Sequence, residues 1–368
     1  MLPQAVLAQP FHLPRGGVVK NRVCKSAMSE ALGTRQGRAT PELARLYGAW
    51  AEGGVGLCIT GNVMIDRRAL GEPGNVVIED DSQMAELQAW AQAATRNGTH
   101  CWVQLNHPGK QAPKGLNKEN VAPSAVPFRK DMQAFFPTPR ELTDAEVREL
   151  IARYGRAAGI VKRAGFTGVQ IHGAHGYLVS QLLSPHHNQR SDEWGGSAEK
   201  RRRFVLAVLA AMRAEVGADF PIGIKLNSAD FQRGGFTEEE SLDTIRALAE
   251  AGIDLIEISG GTYEAPAMTG VKTAGAPVKD STRQREAYFL AFAEKARQAV
   301  SVPLVVTGGF RSLEGMATAL TSGAVDLVGL ARAVAIEPDV VNRLLAGQAP
   351  REQVRPIKTG IPPIDRMG

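Results

Sequence analysis

Two histidines and a tyrosine, His172, His175 and Tyr177, stand within six residues, spaced by two glycines and an alanine that let the backbone turn sharply. Three kinds of chemistry suit such a group. The imidazoles can be purely structural, satisfied by backbone carbonyls. They can form part of a zinc site, but no Asp, Glu or Cys stands at the other strand ends to complete it, so no metal is expected. Or they form a donor pair for an anionic or carbonyl oxygen, with the tyrosine as proton source. A phenol with an ordinary pKa near 10 stays protonated at neutral pH and can act as a general acid.

A second group reads as an anion site. Gly308-Gly309-Phe310-Arg311-Ser312 leads directly into a helical pattern, so exposed amides meet a helix N-terminus, and Arg332 adds a cation nearby. The alternative reading is that the paired glycines only make a tight turn.

Both groups need elements to position them. Short apolar or β-branched runs recur at 18–28, 54–60, 100–106, 168–173, 221–226, 254–259, 303–309 and 325–331, each bounded by turn residues and followed by a segment of helical period. Thr143 and Glu146 form a capping box. Ser197 opens an amphipathic helix that ends near Gly217, and Thr237 opens another that stops at Gly252. Further helices are expected near 286–299 and 312–322 and after Pro338.

Eight strand–helix repeats predict an α/β fold, a single (β/α)8 TIM barrel over 1–368 with a Pro-rich C-terminal tail from about 348. An open doubly wound sheet is the alternative, but no Gly-x-Gly-x-x-Gly follows the first strand. Two connections, 107–142 after strand three and 260–283 after strand six, are long enough to be lids or binding loops. Both follow strand C-termini, the barrel face on which active sites are built.

Composition narrows the class of protein. With 43% hydrophobic and 22% charged residues the chain matches an ordinary globular protein. Its longest apolar run, 204–212, is far short of the roughly 20 residues of a membrane span. The opening MLPQAVLAQPFHL lacks a basic and then apolar leader, so a cytoplasmic protein is expected. The net charge of +5 comes from dispersed residues with acids interleaved, which argues for solvated faces and against nucleic acid. Cys24, Cys58 and Cys101 are isolated in apolar segments and read as reduced, buried thiols.

The run VVKNRVCKSAMSE (18–30), the block HGAHGYLVSQLLSPHHNQRSDEWGGS (172–197) and the late VVTGGF and GLAR segments together resemble the old yellow enzyme family of flavin oxidoreductases. The resemblance runs from about residue 10 to about 347. It implies non-covalent FMN, with the phosphate on Gly308, Gly309, Ala331 and Arg332. It places the ring across Ala27, Met28 and Ser29 beside Gly61, and puts Gln104, His172 and Lys225 in contact with it. Three positions depart from the family's habit. Lys225 stands where relatives commonly carry arginine, which keeps the charge but loses the fork. Ser29 replaces a threonine or a redox-tuning cysteine, and Ala331 replaces a glycine.

The resemblance implies ping-pong ene-reduction. NADPH or NADH reduces FMN and leaves, and an activated alkene (enone, enal, maleimide or nitroalkene) takes its place. His172 and His175 would bind the activating oxygen while hydride passes from flavin N5 to the β-carbon, and Tyr177 would protonate the α-carbon. Lys110, Lys114 and Arg283, in the two long loops, could meet a nicotinamide 2′-phosphate. Relatives occur as monomers and as homo-oligomers. The iron–sulfur branch of the family needs a cysteine cluster that these three isolated cysteines do not form. Outside this reading stand a metal-dependent hydrolase on the same barrel and a flavin-binding protein without catalysis.

Overall fold

The computed structural model describes residues 1–262, 264, 278–308, 310 and 312–351. The tail beyond 351, Gly309 and most of the connection after the sixth strand fall outside them. Eight strands form the barrel: β1 (Val23–Lys25), β2 (Leu57–Met64), β3 (His100–Asn106), β4 (Gly168–Gly173), β5 (Ile222–Asn227), β6 (Leu255–Ser259), β7 (Leu304–Thr307) and β8 (Leu327–Leu330). Each pairs in parallel with the next, and β1 pairs with both β8 (Val23 opposite Val328) and β2 (Cys24 opposite Leu57), so the sheet closes.

The helices alternate with the strands: α1 (Pro41–Glu52), α2 (Met84–Ala94), α3 (Asp144–Arg163), α4 (Ala198–Val216), α5 (Glu238–Glu250), α6 (Val278–Ala299), α7 (Leu313–Thr321) and α8 (Val340–Leu345). Their starts follow local chemistry. Thr143 with Glu146, and Thr237 with Glu240, form reciprocal capping boxes, while Ser197 and Ser312 accept from first-turn amides. No helix of the described residues is long and apolar enough to cross a membrane.

Three boundaries differ from the sequence reading. The run 18–28 is two elements. Val18–Val19 pairs antiparallel with Phe11–His12 in a hairpin, and the chain then turns at Asn21, whose side chain bonds the Gly54 carbonyl and the Val23 amide before β1 begins. Strand β2 does not stop at Thr60. It gains one residue against β3 between Ile59 and Asn62, a bulge that redirects the strand, and continues to Met64. Helix α6 begins at Val278, so the connection after β6 is shorter than 260–283. The 107–142 connection carries a small parallel pair of its own, Val121–Ala122 with Arg140–Glu141.

Strand side chains alternate between the two faces of the sheet, and the inward set changes character along the barrel axis. Near the base, Leu57, Ile59, Trp102, Leu255, Val305 and Leu327 form an inner apolar cluster with Leu13 and Val19 of the hairpin. Trp102 fills this level, and a Cβ on Gly168 or Gly223 would collide with its ring. Two residues further along the same strands the interior turns polar, with Gln104, Gln170, Lys225, Glu257 and Thr307, all buried. The thiols of Cys24, Cys58 and Cys101 are free and buried, as expected.

Candidate active site

The polar layer is a connected network. Lys225 Nζ lies 3.1 Å from Glu257 Oε1, and Thr307 Oγ1 donates to the same oxygen at 2.6 Å. The Thr307 hydrogen is thereby used, so Ser26 Oγ, 2.6 Å away, donates to Thr307. Glu257 Oε2 accepts from Gln170 Nε2 at 2.9 Å, and Gln170 Oε1 accepts from Gln104 Nε2 at 2.8 Å. Burial alone would raise the Glu257 carboxyl, but the Lys225 charge and the hydrogen bonds from Thr307 and Gln170 outweigh it and hold the group below its ordinary range.

Above this layer the end of β4 carries His172, and the turn that follows carries His175 and Tyr177. The structure brings the three together. The His172 ring centroid is 5.3 Å from that of His175 and 4.7 Å from that of Tyr177, both edge to face. Nδ1 of His172 accepts from the Ala174 amide at 3.3 Å, which puts the proton of the neutral ring on Nε2. His175 adopts φ 60°, a left-handed conformation uncommon outside glycine, and adjoins Gly176 at φ 79°. Its amide donates to Asn227 Oδ1 at 3.1 Å, its carbonyl accepts from Gln111 Nε2 at 3.0 Å, and Nε2 lies 2.7 Å from Ser259 Oγ. Strands β5 and β6 and the loop after β3 therefore hold the turn in this strained shape.

Both imidazoles are neutral at physiological pH. Burial, with further lowering by His175 and Lys225, pushes His172 well below the ordinary histidine value, and burial with Lys225 lowers His175 to about 3. They can donate hydrogen bonds without carrying charge. Asn62, which the β2 bulge carries to the barrel mouth, donates to Tyr177 Oη at 3.4 Å and accepts from Asn106 at 3.3 Å.

The remaining positions are distributed around the mouth. Ala27 and Met28 are half-buried and Ser29 is exposed on the segment that follows β1. Gly61 is buried, its amide already bonded to Glu30 Oε1 at 3.0 Å, and a Cβ there would collide with the Met28 carbonyl. Gly308, at φ 98°, ends β7, while Ala331 and Arg332 follow β8. Gly309 and the side chain of Arg283 lie outside the described residues.

Lys110 is not available to a 2′-phosphate. Its ammonium is buried against Glu264 and lies over the Phe128 ring. Lys114 is exposed. The sequence reading that no acid stands at the other strand ends passed over Glu257, which lies two residues before the end of β6. That carboxylate is committed to Lys225, Thr307 and Gln170. Among the described residues, the group with metal-ligand spacing is elsewhere, at His186, His187 and Glu264.

Sequence reasoning missed Asn62, Asn227, Glu257 and Ser259. A usable signal existed for three of them. Spacing of two along a strand links Lys225 to Asn227 and Glu257 to Ser259, and an acid inside the apolar run LIEIS is unusual enough to mark an inward polar position.

The model of the NADH:flavin oxidoreductase / NADH oxidase family matches residues 7–350. The chain belongs to this family. It is 38% identical over 353 residues to the NADH-dependent flavin oxidoreductase iliE of Hypocrea jecorina (strain QM6a), covering 89% of this chain and 86% of that one. A 2-naphthoyl-CoA reductase solved with 2-naphthoyl-CoA superimposes with a TM-score of 0.84 at 26% identity, over 94% of this chain but 53% of that reductase. The old yellow enzyme homologue of Zymomonas mobilis shares the fold, with a TM-score of 0.79 at 24% identity, over 95% of this chain and 94% of the other. This chain is therefore an FMN enzyme that takes its electrons from a nicotinamide. Its own residues suit that cofactor. The barrel interior holds a buried cation, Lys225, and an oriented amide, Gln104, the segment after β1 carries half-buried Ala27 and Met28, and Gly308 holds a positive φ just after β7.

Proposed function

We propose that this flavin oxidoreductase reduces an activated carbon–carbon double bond in a small molecule such as an enone, enal, maleimide or nitroalkene. One observation carries the reading: two neutral imidazoles and a phenol converge at and just after the end of β4, where His172 stands in register with the cation Lys225 of β5. Neutral donors suit an uncharged substrate oxygen that gains negative charge only as the reaction proceeds.

In this reading Ala27, Met28 and Ser29 lie against the flavin ring, Gln104 and Lys225 hold its pyrimidine edge, and Gly61 keeps the β1 segment close. Gly308, Gly309, Ala331 and Arg332 take the phosphate. Bound FMN supplies the hydride. His172, through Nε2–H, and His175 bind the activating oxygen and polarise the alkene. Tyr177 gives the proton of Oη to the α-carbon, and Asn62 donates to the phenol oxygen. Binding between the two imidazoles fixes the alkene in one orientation, which supplies the positional part of the rate.

An anaerobic visible spectrum tests this. Flavin absorbance is expected to bleach with NADH or NADPH and to return with cyclohexenone. Bleaching that no member of the four alkene classes reverses would refute the ene-reductase reading while leaving a nicotinamide–flavin oxidoreductase.

A further inference from the structure

Glu257 is the one carboxylate among the described residues of the polar layer, and every polar group of that layer meets it directly or through one intermediate. Three donors converge on it: Lys225 at 3.1 Å, Thr307 at 2.6 Å and Gln170 at 2.9 Å. An ionised carboxylate only accepts hydrogen bonds, and this has a directional consequence. Gln170 must present its NH2 to Glu257 and therefore its carbonyl to Gln104. Gln104 must then spend one N–H on Gln170 at 2.8 Å, which leaves its own carbonyl and second N–H for whatever sits above. The orientation of an amide is normally open to a flip; here an anion at the end of the chain fixes it.

The same carboxylate bears on charge. Lys225 and Glu257 are paired in register on adjacent strands and are both buried, at 4% and 1% side-chain exposure, so the ammonium is largely neutralised from one side. At short range and away from water such a neighbour counts for much more than it would at the surface. A lysine so paired offers a weaker field to a ligand above it than an unpaired guanidinium would.

We infer that Glu257 is a positioning residue of the flavin site: it holds Lys225, fixes the amide polarity of Gln104 through Gln170, and by its charge lowers the affinity of the site for an anionic flavin. The inference rests on the reading that Lys225 and Gln104 contact the flavin ring. Glu257 is itself buried, with both carboxylate oxygens bonded within the protein. Its influence passes through Lys225 and Gln104.

Sulfite tests the charge directly, because its complex with oxidised flavin brings negative charge onto the ring and is read by bleaching, without any substrate. The holoenzyme is titrated with sulfite at pH 7, and the two-electron midpoint potential is measured in parallel. Glu257→Gln, nearly isosteric, is expected to bind sulfite about tenfold more tightly and to raise the midpoint by about 30 mV, the value of a tenfold change for a two-electron couple. Glu257→Asp draws the charge back from Lys225 and is expected to lie between, about threefold tighter than the wild type. Lys225→Met is expected to shift in the opposite sense, about tenfold weaker.

Sulfite affinity rising in the order Lys225→Met, wild type, Glu257→Asp, Glu257→Gln would support the inference. If Glu257→Gln does not retain FMN, the Glu257→Asp shift decides. Sulfite affinity and potential unchanged in both Glu257 variants, with Lys225→Met weakened, would overturn the positioning role and leave the flavin assignment standing. No change in any of the three variants would overturn the assignment of Lys225 to the flavin, and the inference with it.

Discussion

The ammonium of Lys110 lies 3.3 Å from the carboxylate of Glu264, with both side chains buried, and so joins the connection after β3 to the one after β6. Glu264 also accepts from the Arg129 amide at 2.8 Å, and Lys110 stands 4.3 Å over the Phe128 ring. The connections after β3 and β6 are thus clasped to each other by a buried ion pair.

Breaking that pair leaves a buried carboxylate without its counter-ion. Lys110→Met is expected to cost about 3 kcal/mol of stability, read as a lower urea midpoint. The double variant with Glu264→Gln should recover a large part of the loss, because neither charge is then stranded. Equal midpoints for wild type and Lys110→Met would refute the clasp.

On the proposed reading His172→Ala removes a preorganised donor to the developing oxyanion, so reoxidation by enone is expected to slow by on the order of 10²–10³. His175→Ala should behave similarly. Stopped-flow measurement of both half-reactions checks this, because reduction by the nicotinamide should change much less. An unaltered enone step would remove the donor-pair assignment.

Tyr177→Phe is expected to slow alkene turnover severely while the flavin still reduces at near the wild-type rate. Asn62→Ala should give a milder version, about three- to tenfold, the value of one hydrogen bond of about 1 kcal/mol. Solvent isotope effects on the reoxidation step would show whether proton delivery is what has slowed.

The buried histidines give the protein a signed pH dependence. His175, lowered to about 3, and His107, lowered by burial to about 4, bind protons more readily in the unfolded chain, where the ordinary value is about 6.5. Stability is therefore present above about pH 6.5 and is lost as the pH falls toward 4 and 3. Urea midpoints measured from pH 7 to pH 4 should decline, and His175→Gln should decline less. The enone half-reaction should show no histidine inflection between pH 6 and pH 8.

The fold was legible because each barrel strand is an apolar run between turn residues, and because helix starts carry explicit chemistry at Thr143, Ser197, Thr237 and Ser312. Its errors have local causes. A bulge cannot be seen in the β2 sequence, because Thr60 and Gly61 are also common turn residues, and so the strand appeared to end there and Asn62 was passed over. The hairpin strand Val18–Val19 and β1 are both apolar and only a short polar stretch, Lys20 to Arg22, lies between them, so they merged.

The histidine–tyrosine group was legible because its members are close in sequence. Partners contributed by other strands were not. Ser259 meets His175 across 84 residues, and Glu257 meets Gln170 across 87. Such pairings depend on strand register, which local patterns do not specify. Lys110 misled for a related reason: a lysine in a long polar loop reads as solvated until the fold supplies a buried acid opposite it.

The plug of Trp102, seated against Gly168 and Gly223, fills the barrel interior below the polar layer. On the proposed reading, reductant and oxidant both reach the site from the end opposite this plug and share one threshold, so neither enters while the other is inside. Crowding by one should hold the other out, so excess alkene should inhibit competitively against the nicotinamide, and initial-rate plots should run parallel.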